Sequence, residues 1–252
     1  MLVLRSALFM LVMGLTVVPY ALGCLLIAPL PLHLRYRFTV GWPRLVIRAA
    51  RWILGIRWEV RGLEHLPDGP AIVLSKHQST WETFFYPSYL PRELCFVFKR
   101  ELLWIPFFGW GIALLDMIHI DRGKGVDAFE SVVGQGQRKL AEGRWIIMFP
   151  EGTRTPVGTK GRFKTGGSRL AVRTGTPVVP IAVNAGERWP KKRFVKTPGL
   201  VTVSIGPLIP VAGRTVEAVA ADVEGWIEAE MRRISPHVYR DAPEAVLNEA
   251  TS

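Results

Sequence analysis

The predicted fold is built around one stretch, Ala71-Ile72-Val73-Leu74-Ser75-Lys76-His77-Gln78-Ser79-Thr80-Trp81-Glu82. Its first four residues form a short apolar run, which predicts a buried strand. Polar residues follow at once, and in open α/β sheets reactive groups gather at the carboxyl ends of strands. His77 and Glu82 are therefore candidate catalytic residues. A surface or core histidine is the alternative interpretation, and this stretch alone favours it.

The rest of the chain alternates strand patterns with helix patterns. Alternating or continuous apolar runs predict strands at Ile56–Val60, Ala71–Leu74, Cys95–Phe98, Met117–Ile120, Trp145–Phe149, Val178–Val183 and Val201–Ile205. Helical patterns follow at Thr80–Leu90, Glu101–Ala113, Val126–Glu142, Gly167–Thr174 and Thr215–Ile234. Strands alternating with helices predict an α/β fold with a mainly parallel mixed sheet flanked by helices.

An apolar segment precedes this domain. Residues 6–34 contain no Asp, Glu, Lys or Arg. An uncharged segment of this length is long enough to cross a bilayer. Pro19, Pro29 and Pro31 are expected to break the segment into pieces that are each short for crossing alone. A single tilted or kinked span and a re-entrant helical pair in one leaflet both remain open. A cleaved signal peptide is a weaker alternative, because the apolar run continues past Cys24.

The segment after the apolar run is rich in arginine. Between residues 35 and 61, seven arginines face a single acid, Glu59, and the positive-inside rule places such a flank in the cytoplasm. Apolar residues from Trp42 to Leu54 recur at helical spacing, so we expect an amphipathic helix there. This helix either lies on an anionic membrane surface or packs on the domain with its basic face in solvent. Residues 1–55 are thus expected to be membrane-associated helices at the cytoplasmic face of the inner membrane.

Composition narrows the function class only partly. Hydrophobic residues make up 49% of the chain, which favours membrane contact, and the net charge of +11 suits anionic lipid, nucleic acid or a phosphorylated substrate equally well. The two cysteines, Cys24 and Cys95, lack the spacing of a metal site or a disulfide framework. We therefore expect no structural disulfide.

Two further stretches follow predicted strands. The first is Phe149-Pro150-Glu151-Gly152-Thr153-Arg154, where glycine permits close backbone approach, turn amides can bind an anion, and the Arg154 guanidinium matches a phosphate. An ordinary charged surface loop is the alternative. The second is Lys99-Arg100-Glu101, which leads into the apolar residues 102–111. Three interpretations of those residues are open: they line an acyl-chain tunnel, they insert into the lipid bilayer, or they form a buried helix.

Together, these stretches form four blocks that resemble a known family. In chain order the blocks are His77-x4-Glu82, Lys99–Gly109 with Ile118-His119-Ile120-Asp121-Arg122, Phe149–Arg154 and Val179-Pro180-Ile181. In order and spacing they resemble the signature blocks of the membrane-bound glycerolipid acyltransferases, and most nearly those of the 1-acyl-sn-glycerol-3-phosphate acyltransferases. The first block of that family usually reads Asn-His-x4-Asp, whereas this chain has Lys76 before the histidine and Glu82 in the acid position.

The resemblance implies transfer of an acyl group from a thioester of coenzyme A or acyl carrier protein to the sn-2 hydroxyl of 1-acyl-glycerol 3-phosphate. His77 would then act as the general base and Glu82 would orient it. A thiolate is a good leaving group, so no metal or cofactor is expected. The residues implied to bind the acceptor phosphate are Glu151, Gly152, Thr153, Arg154, Lys99 and Arg122.

The sequence pattern predicts a catalytic domain at residues 56–240, followed by a polar tail at 241–252, and the resemblance covers about residues 57 to 210 of it. Its expected partners are membrane lipids, the lysophosphatidate acceptor and the thioester donor, with no nucleic acid. One alternative is the same chemistry on glycerol 3-phosphate, a lysophospholipid or an aminolipid. The other is a non-enzymatic basic membrane-binding protein, which would explain the charge but not the coincidence of His77, Glu82 and Arg154.

Overall fold

The computed structural model describes the backbone of residues 1–106, 108–121 and 125–239, and the side chains in these ranges except those of residues 108 and 125–128. Arg122 and the tail at 241–252, both considered above, lie outside the described residues. Within them, seven strands form one sheet in the order β1-β7-β6-β2-β5-β3-β4. The strands are β1 Ile56–Arg61, β2 Ile72–Ser75, β3 Leu94–Lys99, β4 Ile118–Ile120, β5 Trp145–Met148, β6 Val178–Val183 and β7 Gly199–Ile205.

The sheet is mixed and mainly parallel, as predicted. The described strand pairs are parallel except β6 with β7, which run antiparallel. All four residues of β2 are buried, because this central strand is covered on both faces. The α-helices are α1 Leu2–Leu26, α2 Leu32–Thr39, α3 Gly41–Ala49, α4 Trp81–Tyr89, α5 Phe108–Ala113, α6 Gly125–Ala141, α7 Gly166–Thr174 and α8 Val216–Ile234.

Two apolar layers cover the sheet, one on each face. Val73 of β2 packs in a layer that includes residues of α1, α3 and α4. Its neighbour Ile72 points to the other face and packs in a layer that includes residues of α6, α7 and α8. Alternate side chains of a strand point to opposite faces, so each central strand contributes to both layers. The carboxyl ends of β2, β5 and β3, which are adjacent and parallel, therefore meet at one edge.

Helix α1 is continuous, so the expected break at Pro19 is wrong. The helix runs for 25 residues with Pro19 inside it, and it is long and apolar enough to cross a membrane by length and composition. Phe9 and Cys24, on either side of the proline, are both buried, and Phe9 packs edge-on against Trp189. This tertiary packing outweighs the one main-chain hydrogen bond that a proline removes.

The amphipathic segment packs on the domain. Val46 and Ile47 of α3 are buried in the core. Trp42, at the start of α3, packs edge-on against Phe84 of α4. The helix continues as one π-helical turn at Ala50–Leu54. Arg44 and Arg48 remain exposed on the opposite side, so the packed alternative is the one observed.

The stretch after β3 is not the single helix predicted at Glu101–Ala113. A 3-10 turn at Arg100–Trp104 is followed by α5, and Pro106 lies between them. Proline donates no main-chain hydrogen bond and restricts the residue before it, which ends the first turn. The interpretation as a buried helix is also wrong, because Trp104 is 82% exposed.

Candidate active site

His77 and Glu82 are in direct contact. His77 follows β2 by two residues, Glu82 lies in the first turn of α4, and His77 Nδ1 is 2.7 Å from Glu82 Oε2. The other carboxylate oxygen accepts hydrogen bonds from the amides of Gln78 (3.1 Å) and Ser79 (2.9 Å). Amides at a helix N-terminus favour a negative charge. Glu82 is thus held in one orientation that faces the histidine ring.

Burial governs the electrostatics of this pair. Glu82 is fully buried, and burial raises the pKa of its carboxyl, while the hydrogen bond from His77 and its charge oppose the shift. The His77 ring stacks on Phe149, with ring centroids 3.8 Å apart and planes at 14°. Its side chain is 14% exposed. With Nδ1 directed to Glu82, Nε2 is the nitrogen available to a substrate.

Residues 149–154, which we call the phosphate loop after the role predicted for them, lie beside His77. The Thr155 amide, directly after the loop, donates to the His77 carbonyl at 2.8 Å. The Arg154 guanidinium donates to the Thr80 hydroxyl at 2.6 Å. Gly152 has a φ of +66°, a conformation that favours glycine, and it turns the loop at this point. The structure therefore brings Arg154 next to the histidine block, as the order of the strands requires.

Lys191 closes the other side of the phosphate loop. Its ammonium donates to the Arg154 carbonyl at 2.7 Å and to the Thr153 hydroxyl at 3.3 Å. Gly152 and Thr153 are exposed, so their side of the loop is open to a ligand. Lys191 was not predicted as a site residue, since it lies after β6 and only the folded chain places it here.

Glu151 differs from the other residues of the phosphate loop. It is only 4% exposed, and its carboxylate lies 3.2 Å from the buried ammonium of Lys76. Burial raises the pKa of Glu151 to about 7, although Lys76 and His77 oppose the shift. A buried carboxylate beside a lysine supports the loop from behind and is poorly placed to contact a phosphate.

A cavity of about 640 Å³ opens beside His77 and the phosphate loop. Cationic Lys99 and Lys164 lie on its wall, together with Gly152. Lys99 is the last residue of β3, at the strand end where it was predicted. Lys164 was not predicted as a site residue, and its only signal in the sequence is the cluster of cations after the phosphate loop. The apolar wall includes residues from α1, α4 and the sheet, among them Val17, Ala21, Phe84, Phe96, Phe98 and Met148.

The cavity is amphiphilic. Cationic and glycine residues line one part of its wall, and aromatic and aliphatic residues line the rest. Its volume and lining suit a molecule with an anionic head and an acyl chain. Among the described residues, no group of three or more His, Cys, Asp or Glu side chains is arranged to hold a metal ion.

Comparisons with known proteins agree on one family. A sequence model of the Acyltransferase family matches residues 57–184. The chain is 46% identical over 238 residues to the 1-acyl-sn-glycerol-3-phosphate acyltransferase of Pseudomonas aeruginosa, with 92% of each chain covered. It is 35% identical over 180 residues to 1-acyl-sn-glycerol-3-phosphate acyltransferase alpha of Homo sapiens, which covers 71% of this chain and 64% of the human protein.

A solved structure has the same fold. The crystal structure of the 1-acyl-sn-glycerophosphate acyltransferase from Thermotoga maritima superposes with a TM-score of 0.77 at 25% sequence identity, covering 92% of this chain and 95% of that chain. The family match includes His77, Glu82 and the phosphate loop. The chain therefore belongs to the acyltransferase family, and it is an enzyme rather than a non-enzymatic membrane-binding protein.

Proposed function

We propose that this enzyme transfers an acyl group from an acyl thioester to the sn-2 hydroxyl of 1-acyl-glycerol 3-phosphate, giving phosphatidate. The observation that carries the proposal is a cavity lined by His77, which is paired with Glu82, by Gly152 of the phosphate loop and by many apolar residues. Arg154 of the same loop is held nearby by its contact with the Thr80 hydroxyl. The names of the relatives in Pseudomonas aeruginosa and Homo sapiens support the same acceptor.

His77 acts as the general base in this mechanism. A hydroxyl is a weak nucleophile at neutral pH, and imidazole has the basicity to accept its proton during attack. Nε2 takes that proton as the hydroxyl oxygen bonds to the thioester carbonyl carbon. The tetrahedral intermediate then expels the thiolate, and the imidazolium returns the proton to sulfur. Glu82 fixes the ring and stabilises the imidazolium through the contact at Nδ1.

The phosphate loop binds the acceptor phosphate. The Arg154 guanidinium and the amides around Gly152 and Thr153 supply hydrogen bonds to its oxygens. Lys99 and Lys164, on the cavity wall, add positive charge, and Arg122 is a further candidate on sequence grounds. An anchored phosphate holds the hydroxyl beside His77, which makes the reaction effectively intramolecular.

The donor is a thioester of coenzyme A or acyl carrier protein, and the apolar cavity receives an acyl chain. A long chain is driven into such a wall by burial of its methylene groups, at about 0.8 kcal/mol each. The walls formed by Val17 and Ala21 belong to α1. The membrane-associated helix is therefore part of the substrate site.

We place the enzyme at the cytoplasmic face of the inner membrane, with α1 lying along the domain in one leaflet. The helix contacts the catalytic domain at Ser6, whose hydroxyl accepts from the Lys196 amide at 3.0 Å, and it contacts α2 at Cys24, whose thiol lies 3.4 Å from the Thr39 hydroxyl. A helix held along the domain in this way is poorly placed to cross a bilayer. Its outer face carries exposed residues that suit lipid, namely Leu4, Leu8, Leu11, Leu15 and Leu22.

An acceptor panel tests the proposal. Purified enzyme in detergent is given a radiolabelled acyl thioester with lysophosphatidate, glycerol 3-phosphate, a lysophospholipid without a free phosphate, or an aminolipid. We expect transfer to lysophosphatidate with the highest kcat/KM. A higher kcat/KM for any other acceptor would overturn the acceptor assignment while leaving acyl transfer intact.

A further inference from the structure

Lys76 is a fully buried cation directly before the proposed base. Its ammonium donates to Glu228 Oε1 at 2.7 Å and lies 3.2 Å from Glu151 Oε1. A lysine is almost never fully buried unless it is paired, and this one faces two carboxylates. The family that the sequence resembles usually has asparagine at this position, whereas this chain has a cation.

The two carboxylates come from distant parts of the molecule. Glu151 belongs to the phosphate loop, whereas Glu228 lies on α8, which packs on the face of the sheet shared with α6 and α7. No residue of α8 lines the cavity. Lys76 therefore connects the phosphate loop to a helix that does not line the cavity.

Charge in this cluster is unbalanced. Two carboxylates face one ammonium, and both oxygens of Glu151 lack a hydrogen-bond donor among the described residues. The contact of Glu151 with Lys76 is thus an ion pair without hydrogen-bond geometry. Since burial raises the pKa of Glu151 to about 7, the cluster near neutral pH is a Lys76–Glu228 ion pair beside a partly protonated Glu151.

Two consecutive residues hold the phosphate loop on both sides of its exposed part. The Lys76 side chain contacts Glu151, and the His77 carbonyl accepts from the Thr155 amide at 2.8 Å and from its hydroxyl at 3.2 Å. Gly152, Thr153 and Arg154 lie between these two contacts. The distance from His77 to the phosphate-binding atoms therefore depends on where Glu151 is held.

We infer that Lys76 and Glu228 form a buried ion pair that positions Glu151 and thereby sets the phosphate loop relative to His77. The inference rests on the proposed function, in which this loop binds the acceptor phosphate. Lys76 and Glu228 are positioning residues, because neither lines the cavity. A pair that only stabilised the fold would affect both substrates alike, whereas a positioning pair affects the acceptor selectively.

The test uses full-length enzyme in detergent and four variants: Lys76→Met, Glu228→Gln, Lys76→Met with Glu228→Gln, and Glu230→Gln. Glu230 is the matched control, since it lies on α8 and is 6% exposed against 4% for Glu228. It accepts a hydrogen bond from the Ser204 hydroxyl at 2.6 Å instead of facing Lys76. Melting temperature, kcat, the KM for lysophosphatidate and the KM for the acyl thioester are measured for each.

We expect Lys76→Met to lower the melting temperature, because it leaves two buried carboxylates without their cation. Adding Glu228→Gln removes one of those charges, so the double variant should regain much of the melting temperature. Its acceptor KM should nevertheless stay raised about tenfold, as in Lys76→Met, with the thioester KM within about twofold of wild type. Glu228→Gln alone should raise the acceptor KM less, and Glu230→Gln should change neither KM.

Three results would overturn the inference: equal changes in both KM values, recovery of the acceptor KM together with the melting temperature in the double variant, or an equal effect of Glu230→Gln. Each of these results would show that the Lys76–Glu228 pair only stabilises the fold. Failure of the proposed function is separately visible, as a wild-type enzyme that transfers no acyl group to lysophosphatidate. In that case the role assigned to this pair fails with it.

Discussion

Glu82 faces His77 Nδ1 at 2.7 Å with one carboxylate oxygen while two backbone amides hold the other. The carboxylate is thus oriented before any substrate binds. Such a partner fixes the tautomer of the base and stabilises the imidazolium that forms when a proton is taken. This contact explains how glutamate can orient the histidine at a position where the resembled family usually has aspartate.

Glu82→Gln tests this role of charge at constant shape. We expect kcat to fall about 10²- to 10⁴-fold with little change in the acceptor KM, since an amide cannot stabilise the imidazolium. Glu82→Asp keeps the charge and should retain more activity. Steady-state kinetics with saturating thioester measures both. A Glu82→Gln enzyme with wild-type kcat would exclude the pairing from the mechanism.

Arg154 is predicted to act through acceptor binding. Arg154→Ala should raise the KM for lysophosphatidate by about 10²-fold, because a charge-assisted bidentate contact to phosphate is lost, while kcat changes much less. Thr80→Val keeps the guanidinium but removes its 2.6 Å contact with the Thr80 hydroxyl. That control should raise the same KM only a few-fold. A loss confined to kcat in Arg154→Ala would contradict phosphate binding by this residue.

Glu151 should make stability depend on pH. Its pKa is raised from the usual 4.5 to about 7, so between these values the folded chain binds a proton that the unfolded chain has released. Wild-type stability therefore falls as pH rises through this window, by the order of 1–3 kcal/mol. The Glu151→Gln variant should not lose stability in this way, because glutamine does not titrate.

Melting temperatures of wild type and Glu151→Gln, taken from pH 5 to pH 8, measure the effect. The difference, variant minus wild type, should increase as pH rises toward about 7 and then level off. Other carboxyls, including Glu82, are present in both proteins and cancel in the difference. A difference that is constant with pH would show that Glu151 is ionised throughout the window.

The wall that α1 gives to the cavity should control acyl-chain length. Ala21 is buried and lines the cavity, so Ala21→Trp should fill part of it and lower kcat/KM for long-chain thioesters more than for short ones. Leu22→Trp is the control, because the neighbouring Leu22 is 50% exposed on the outer face. Activities with thioesters of increasing chain length measure the effect. An equal loss at every length would argue against an acyl site here.

Much of the fold is predictable from local pattern. The apolar runs that become β2, β5 and β6 are bounded by proline or polar residues, so their places along the chain are recognisable. His77 and the phosphate loop are each predicted to follow a strand, at the edge of the sheet where reactive groups gather. The adjacency of these two strands, β2 and β5, is seen only in the folded structure. The single antiparallel pair, β6 with β7, does not disturb that edge.

The features that the sequence pattern does not predict depend on contacts between residues that are distant in the chain. Pro19 predicts a break in α1, yet packing against the domain keeps the helix continuous. Lysine is usually exposed, but Lys76 is buried because it pairs with Glu228, which lies 152 residues later in the chain. The placement of Lys191 on the phosphate loop depends in the same way on the folded sheet. In each case a tertiary contact overrides the local preference.

The assignment of His77 as the general base is tested by the rate of acyl transfer by His77→Ala, measured with radiolabelled thioester and saturating lysophosphatidate. His77→Asn, which keeps an amide donor near Glu82, accompanies it, and both are checked for wild-type melting temperature and lysophosphatidate binding. We expect kcat to fall at least about 10²-fold in both variants while the acceptor still binds. Transfer at the wild-type rate by either folded variant would contradict the assignment of His77 as the general base.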